Sequence, residues 1–122
     1  MRIVRHQLHI NLAFAACITA LALMVPQADA SIQILRSFTS RTNDGSYPMS
    51  GLVRSGKWLY GMTYDGGAYD SGTIFSIKTN GTGFKLLHSF NPTISDGYSP
   101  VSGLRLSGST LYGMTEYGGH NN

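Results

Sequence analysis

From residue 32 onward, short apolar runs alternate with turns rich in glycine, and this pattern predicts β-strands. In one run Phe84, Leu86, His88 and Phe90 fall at every second position, which predicts that they share one face of a strand. We expect four strands to form one unit. Their predicted bounds are Ser50 to Arg54, Trp58 to Tyr64, Thr73 to Lys78 and Phe84 to Phe90.

Incomplete units flank this complete one. A lone fourth strand is expected before it, over Ile32 to Phe38, and the first two strands of another unit are expected after it, near Ser102 to Leu106 and Thr110 to Glu116. The connection from Asn91 to Ser99 is predicted to be a long loop. The chain therefore holds about 1.75 units, and we predict that it is a truncated piece of a longer repeat protein.

The chain matches itself without a gap when it is shifted by 52 residues. Ile32 to Asp70 lies over Phe84 to Asn122, and 18 of these 39 pairs are identical. The shared skeleton reads D-G-x-x-P-x-S-G-L-x-x-S-G-x-x-L-Y-G-M-T-x-x-G-G. An ungapped match of this density establishes an internal repeat.

The recurring residues have mechanical interpretations. Asp-Gly and Ser-Gly dipeptides are typical of tight turns, and a proline marks where a strand begins. A glycine inside a strand, as at Gly61 and Gly113, indicates a bulge or the close approach of another group. The predicted structural residues are Gly45, Pro48, Gly51, Tyr60, Gly61, Gly66, Gly67, Gly97, Pro100, Gly103, Tyr112, Gly113, Gly118 and Gly119.

The fold class that follows is all-β. Four short antiparallel strands in each unit of about 50 residues, with periodic glycine and aromatic residues, are typical of the blades of a β-propeller. About two blades are present, whereas closed propellers have roughly four to eight. The expected partners are therefore further repeat units or other copies of the chain.

The first thirty residues predict a helical signal peptide. Arg2 and Arg5 form a basic start, an apolar run extends from Leu12 to Val25, and Ala28-Asp29-Ala30 reads as a cleavage signal. We expect cleavage after Ala30, which divides the chain into a signal peptide, 1–30, and a repeat domain, 31–122. Two alternatives remain: an uncleaved anchor, although the run is short of a bilayer span, and a lipoprotein modified at Cys17.

Charge and cysteine content exclude several classes of function. After cleavage seven Lys and Arg and five Asp and Glu remain, so the net charge is +2. This weak and scattered charge does not predict nucleic-acid binding, which needs a basic patch. Cys17 is the single cysteine, so the mature chain cannot form disulfides. Contact with a membrane is expected only through the signal segment.

The acidic residues do not form a recognisable catalytic pair. A glycosidase needs two carboxylates about 5 to 10 Å apart, and Asp65 and Asp70 flank a glycine-rich loop. In the second copy Tyr117 and Asn122 replace them, which favours a role in turns. The loop lacks the pattern of a calcium site, and no Cys/His cluster suggests zinc. We predict no enzyme activity, no metal and no cofactor.

Aromatic side chains are the remaining candidates for binding. Trp58, Tyr64 and Tyr69 are predicted to contact a ligand or partner, with a glycan or a protein as the candidate ligand. The alternative is packing between units. Tyr60 and Tyr112 recur beside a glycine, which favours packing for these two. Trp58 and Tyr69 do not recur.

The repeat resembles a known bacterial sequence family. The strings L-Y-G-M-T-x-x-G-G, G-T-I-F-S-I-K-T-N-G-T-G-F-K-L-L-H-S-F and D-G-x-x-P look like the GloVer (Gloeo/Verruco) tandem repeat of bacterial surface proteins. The resemblance covers nearly all of 31–119. It implies an exported protein, and it brings no catalytic residues.

The function expected from the sequence is that of an exported, non-catalytic repeat protein. It would act at the cell surface, outside the cell or in the periplasm, as a structural or binding module of undefined ligand. Two alternatives remain open: a fragment of a carbohydrate-active propeller enzyme, and a truncated gene product without independent function.

Overall fold

The computed structural model describes residues 2–10, 28–39 and 42–120. Regular structure within these ranges consists of antiparallel strands, which confirms the all-β prediction. The described ranges contain no helix with the length and apolar character that a membrane span requires. The strands are β1 (Arg2–Ile10), β2 (Ala28–Ser37), β3 (Gly45–Ser46), β4 (Val53–Ser55), β5 (Trp58–Thr63), β6 (Asp65–Gly66), β7 (Thr73–Lys78), β8 (Lys85–Ser89), β9 (Gly97–Pro100), β10 (Arg105–Ser107), β11 (Thr110–Tyr112) and β12 (Thr115–Gly118).

The complete unit forms a four-stranded sheet in the order β4-β5-β7-β8. This order is the predicted succession of antiparallel neighbours, and the bounds differ from prediction mainly in β4, which begins at Val53. The turn from β4 to β5 contains Gly56 at φ +55°, and the turn after β7 contains Gly81 at φ +83°. Both glycines adopt the left-handed backbone that L side chains rarely take.

A bulge changes the predicted faces of β8. Ile74 pairs with His88, but its neighbour Phe75 pairs with Leu86, so Leu87 is an extra residue in β8. Because adjacent residues of β7 point to opposite faces, Leu86 lies on the face of Phe75 and His88 lies on the face of Ile74. The prediction that Phe84, Leu86, His88 and Phe90 share one face is therefore wrong.

Several short strands were not predicted. β3 pairs with β6, and β9 pairs with β12, in two small sheets beside the larger ones. β9 lies in the segment that was predicted to be a loop. The single strand predicted from Thr110 to Glu116 is instead two strands, β11 and β12, and β11 forms a hairpin with β10. Two- to four-residue strands rich in glycine carry too little periodicity for the sequence to indicate them.

The core lies between β2 and one face of the four-stranded sheet. Leu35 and Phe38 pack with Phe75 and Ile77, and Ile3 of β1 joins this cluster. The Phe38 and Phe75 rings meet edge to face, with centroids 5.2 Å apart. This incomplete unit therefore packs against the complete one through buried apolar side chains.

The opposite face of the sheet meets the second unit. Gly61 of β5 pairs with Phe75 and lies on the core face of the sheet. Met62 is the next residue, so its side chain points to the opposite face. Its sulfur lies 3.3 Å from the position that a Cβ on Gly113 would take. Met62 is 2% exposed, whereas Met114, which holds the equivalent position in the second unit, is 70% exposed. Neighbouring units thus contact the four-stranded sheet on both faces.

The helix predicted for the first thirty residues is wrong at both described ends of that segment. Arg2–Ile10 forms β1, and residues 28–30 begin β2. They are strands because the backbones of the two segments pair with each other, from Arg2 with Ser37 to Ile10 with Ala28. The predicted apolar run and Cys17 lie outside the described residues, so signal-peptide function stays a prediction.

Candidate functional site

A buried carboxylate ties β2 to the turn that precedes β3. Asp44 is 4% exposed. Its Oδ1 accepts a hydrogen bond from the Gly45 N–H at 3.0 Å, and its Oδ2 accepts from the Thr39 N–H at 3.1 Å and from the Thr39 hydroxyl at 3.2 Å. Arg36 forms an ion pair with Oδ2 at 3.1 Å. We call this group the first clasp; its partners occupy both carboxylate oxygens of Asp44.

The second unit repeats this arrangement. Asp96 Oδ1 accepts from the Gly97 N–H at 2.9 Å, and Oδ2 accepts from the Asn91 N–H at 3.3 Å. His88 Nε2 lies 2.8 Å from the same Oδ2. Asp96, His88, Asn91 and Gly97 form the second clasp. A histidine stands where the first clasp has an arginine.

The pair Asp65 and Asp70 lies at the glycine-rich end of β5. Asp70 Oδ1 accepts a hydrogen bond from the Gly66 N–H at 3.1 Å. Partial burial raises the pKa of the Asp65 carboxyl, and the nearby negative charge of Asp70 raises it further. The Asp70 carboxylate thus acts on Asp65, while its own Oδ1 already accepts a hydrogen bond from the local backbone.

Tyrosines gather at this same end of the molecule. Tyr98 and Tyr117 face each other across β9 and β12, with their rings stacked 5.4 Å apart at 25°. The Tyr64 hydroxyl donates to Glu116 Oε2 at 3.4 Å. A hydrogen bond to Glu116 and its negative charge raise the pKa of Tyr117. We call Tyr64, Tyr98, Glu116 and Tyr117 the tyrosine edge.

The three predicted contact residues do not form one surface. Trp58 begins β5, where the Lys78 ammonium lies 5.4 Å from its ring centroid, while Tyr64 follows the far end of the same strand. At about 3.3 Å per residue the two positions are roughly 20 Å apart. Tyr69 is 52% exposed in the loop between β6 and β7, at the same end as Tyr64.

Tyr98, Glu116 and Tyr117 were not identified as binding candidates from the sequence. Their signal is a departure from the repeat, because Ser46, Tyr64 and Asp65 hold the equivalent positions in the first copy. The two packing tyrosines also differ. Tyr60 is partly buried in the four-stranded sheet, whereas Tyr112 is 58% exposed.

A cleft of about 240 Å³ lies between the four-stranded sheet and the second unit. Met62, Ile74, Phe90 and Met114 give it a largely apolar wall. No acid or base is among its lining residues. In the part of the chain that the structure describes, no three His, Cys, Asp or Glu side chains are grouped so that they could hold a metal ion.

Comparison with known proteins places the chain in a repeat family. No curated protein and no solved structure matched it. The Gloeobacter/Verrucomicrobia repeat matched residues 23–122, which include the complete unit, both clasps and the tyrosine edge. The chain therefore belongs to the Gloeobacter/Verrucomicrobia repeat (GloVer) family.

Proposed function

We propose that this chain is an exported, non-catalytic repeat module that acts at the cell surface, outside the cell or in the periplasm. In this proposal the N-terminal segment directs export and is removed after Ala30. The repeat domain then serves as a structural or ligand-binding element. The repeat family supports the modular part of this proposal, and the basic and apolar N-terminal segment supports export.

One observation carries the non-catalytic part of the proposal: the recurring aspartates and the glycines that follow them are engaged in hydrogen bonds and close packing. Asp44 and Asp96 accept hydrogen bonds from backbone N–H groups, and the side chains of Arg36 and His88 lie beside them. Gly45 and Gly97 lie under Thr63 and Thr115, with no space for a side chain. These contacts account for the recurrence of the two aspartates and the two glycines by structural roles alone, without a catalytic one.

We further propose that the units are blades of a β-propeller. A blade packs both of its faces against neighbours. In support, the four-stranded sheet contacts β2 on one face and the second unit on the other. The partners of this architecture are further repeat units or other copies of the chain.

The tyrosine edge is our candidate ligand surface. Its members depart from the repeat, so a packing role common to every unit does not account for them. Tyrosine rings can stack on sugar rings or anchor a protein contact, and Glu116 can accept hydrogen bonds from hydroxyl groups. A glycan or a surface protein is the proposed ligand class, and the first test uses glycans.

The test is binding of the full chain to a glycan array, followed by titration of any glycan that binds. We expect Tyr117→Ala to weaken binding about tenfold, which corresponds to the loss of one aromatic contact. Tyr112→Ala is the matched control, because Tyr112 is an exposed tyrosine outside the tyrosine edge. Equal losses in both variants, or no glycan bound at all, would remove the support for glycan binding at this surface.

A further inference from the structure

The two clasps are built alike but differ in one basic side chain. Arg36 and His88 are 52 residues apart, as are Asp44 and Asp96. Each of these two side chains lies beside the Oδ2 atom of its aspartate, at 3.1 Å for Arg36 and at 2.8 Å for His88. Arginine keeps its charge at every physiological pH, whereas histidine gains or loses its charge between about pH 5 and 8.

Each clasp stands where one unit passes into the next. Asp96 ties the end of β8 to the start of β9 through the Asn91 and Gly97 N–H groups. Its backbone oxygen also accepts from the Gly119 N–H at 3.1 Å, which brings the end of β12 to the same point. The second clasp therefore attaches the β9-β12 sheet to the complete unit.

The surroundings of His88 offer one charged partner. On its own strand the Phe90 ring meets the imidazole edge to face at 4.9 Å, and on β7 the opposite residue is Ile74. Tyr98 on β9 and the pair Glu116 and Tyr117 on β12 are the titratable groups of the neighbouring sheet. Among the described residues, Asp96 is the acidic residue whose carboxylate lies within ion-pair distance of His88, at 2.8 Å.

We propose that the strength of the second clasp, which connects two repeat units, depends on the protonation of His88, whereas the strength of the first clasp does not change with pH. When His88 is protonated, its bond to Asp96 becomes an ion pair like that of Arg36 with Asp44, and charge-assisted hydrogen bonds are the stronger kind. Acidification therefore tightens the attachment of the second unit. As the pH rises and His88 loses its proton, this extra stabilisation is lost.

The test is amide exchange of the full chain, followed by NMR and normalised to the intrinsic rate at each pH. Between about pH 8 and about pH 5.5, we expect protection of the Asn91 and Gly97 amides to increase about two- to fivefold, as suits a half-exposed pair. Protection of the Thr39 and Gly45 amides, which report on the first clasp, should stay constant over the same range.

Exchanging the two cations provides the matched control. His88→Arg should abolish the pH dependence at Asn91 and Gly97, and Arg36→His should create it at Thr39 and Gly45. If Arg36→His does not fold, His88→Arg alone still decides the question. A pH dependence at Asn91 and Gly97 that persists in His88→Arg, or that is absent from the unaltered chain, would overturn the proposal.

Discussion

At the scale of residues, close packing explains why glycine occupies position 61 inside β5. A Cβ built on Gly61 would lie 2.6 Å from Leu52 Cδ2 and 2.7 Å from the Phe75 ring. No register shift occurs there, so close approach rather than a bulge accounts for this glycine. The sequence offered both interpretations, because a glycine in a strand does not reveal which ring or side chain lies above it.

Gly61→Ala should destabilise the chain by about 1–3 kcal/mol, the usual cost of overpacking. The Leu52 side chain can rotate away, but the buried Phe75 ring is held among its neighbours. The measurement is urea unfolding of the full chain, followed by fluorescence. Gly51→Ala is the control, because a Cβ there meets nothing within 4 Å. Equal stabilities of the two variants would contradict the packing argument.

At the scale of elements, the strands of the complete unit could be predicted but their faces could not. Thr73–Lys78 forms as expected, since its β-branched and aromatic residues favour a strand by local preference alone. The bulge at Leu87 shifts the face of every later residue in β8. Leu35 of β2 is the residue equivalent to Leu87 in the repeat, and the pairing register of β2 with β1 also shifts at Leu35. A bulge depends on the partner strand, so period-two counting along one strand misses it.

Deleting Leu87 should therefore be far more disruptive than replacing it. The deletion would turn His88 and Phe90 to the other face of the sheet, removing Phe90 from its buried site. We expect a loss of at least about 2 kcal/mol in the free energy of unfolding, from the exposure of one large apolar side chain. Leu87→Ala keeps the bulge and should cost less than about 1 kcal/mol, because Leu87 is half exposed. Comparable urea midpoints for the two variants would refute the role assigned to the bulge.

At the scale of the whole molecule, packing between units depends on contacts far apart in sequence. Leu35 and Phe38 cover one face of the complete unit, and Gly113 approaches Met62 on the other. Ile3 also joins the core cluster. If export removes residues 1–30, this contact and the β1-β2 pairing are lost, while the four-stranded sheet keeps all of its strands.

We predict that the exported chain begins at Ser31. The N-terminal segment has the composition of a cleaved signal, and small residues at positions 28 and 30 suit the peptidase. The measurement is the intact mass of the chain recovered from outside the cytoplasm of a producing bacterium. Ala28→Leu combined with Ala30→Leu is the control and should leave the chain uncut. Recovery of exported chain that still contains Arg2 would contradict the prediction.

The sequence by itself determined the features that depend on neighbouring residues. These are the strands of the complete unit, the turns at glycine, and the 52-residue repeat, because alternation and turn preference act over a few positions. The tertiary structure decided which residues meet: His88 with Asp96, Tyr98 with Tyr117, and Met62 with the second unit. Such pairings depend on strand register and on the approach of separate units, and a one-residue bulge is enough to change them. This is why the strands could be predicted, whereas the clasps and the tyrosine edge could not.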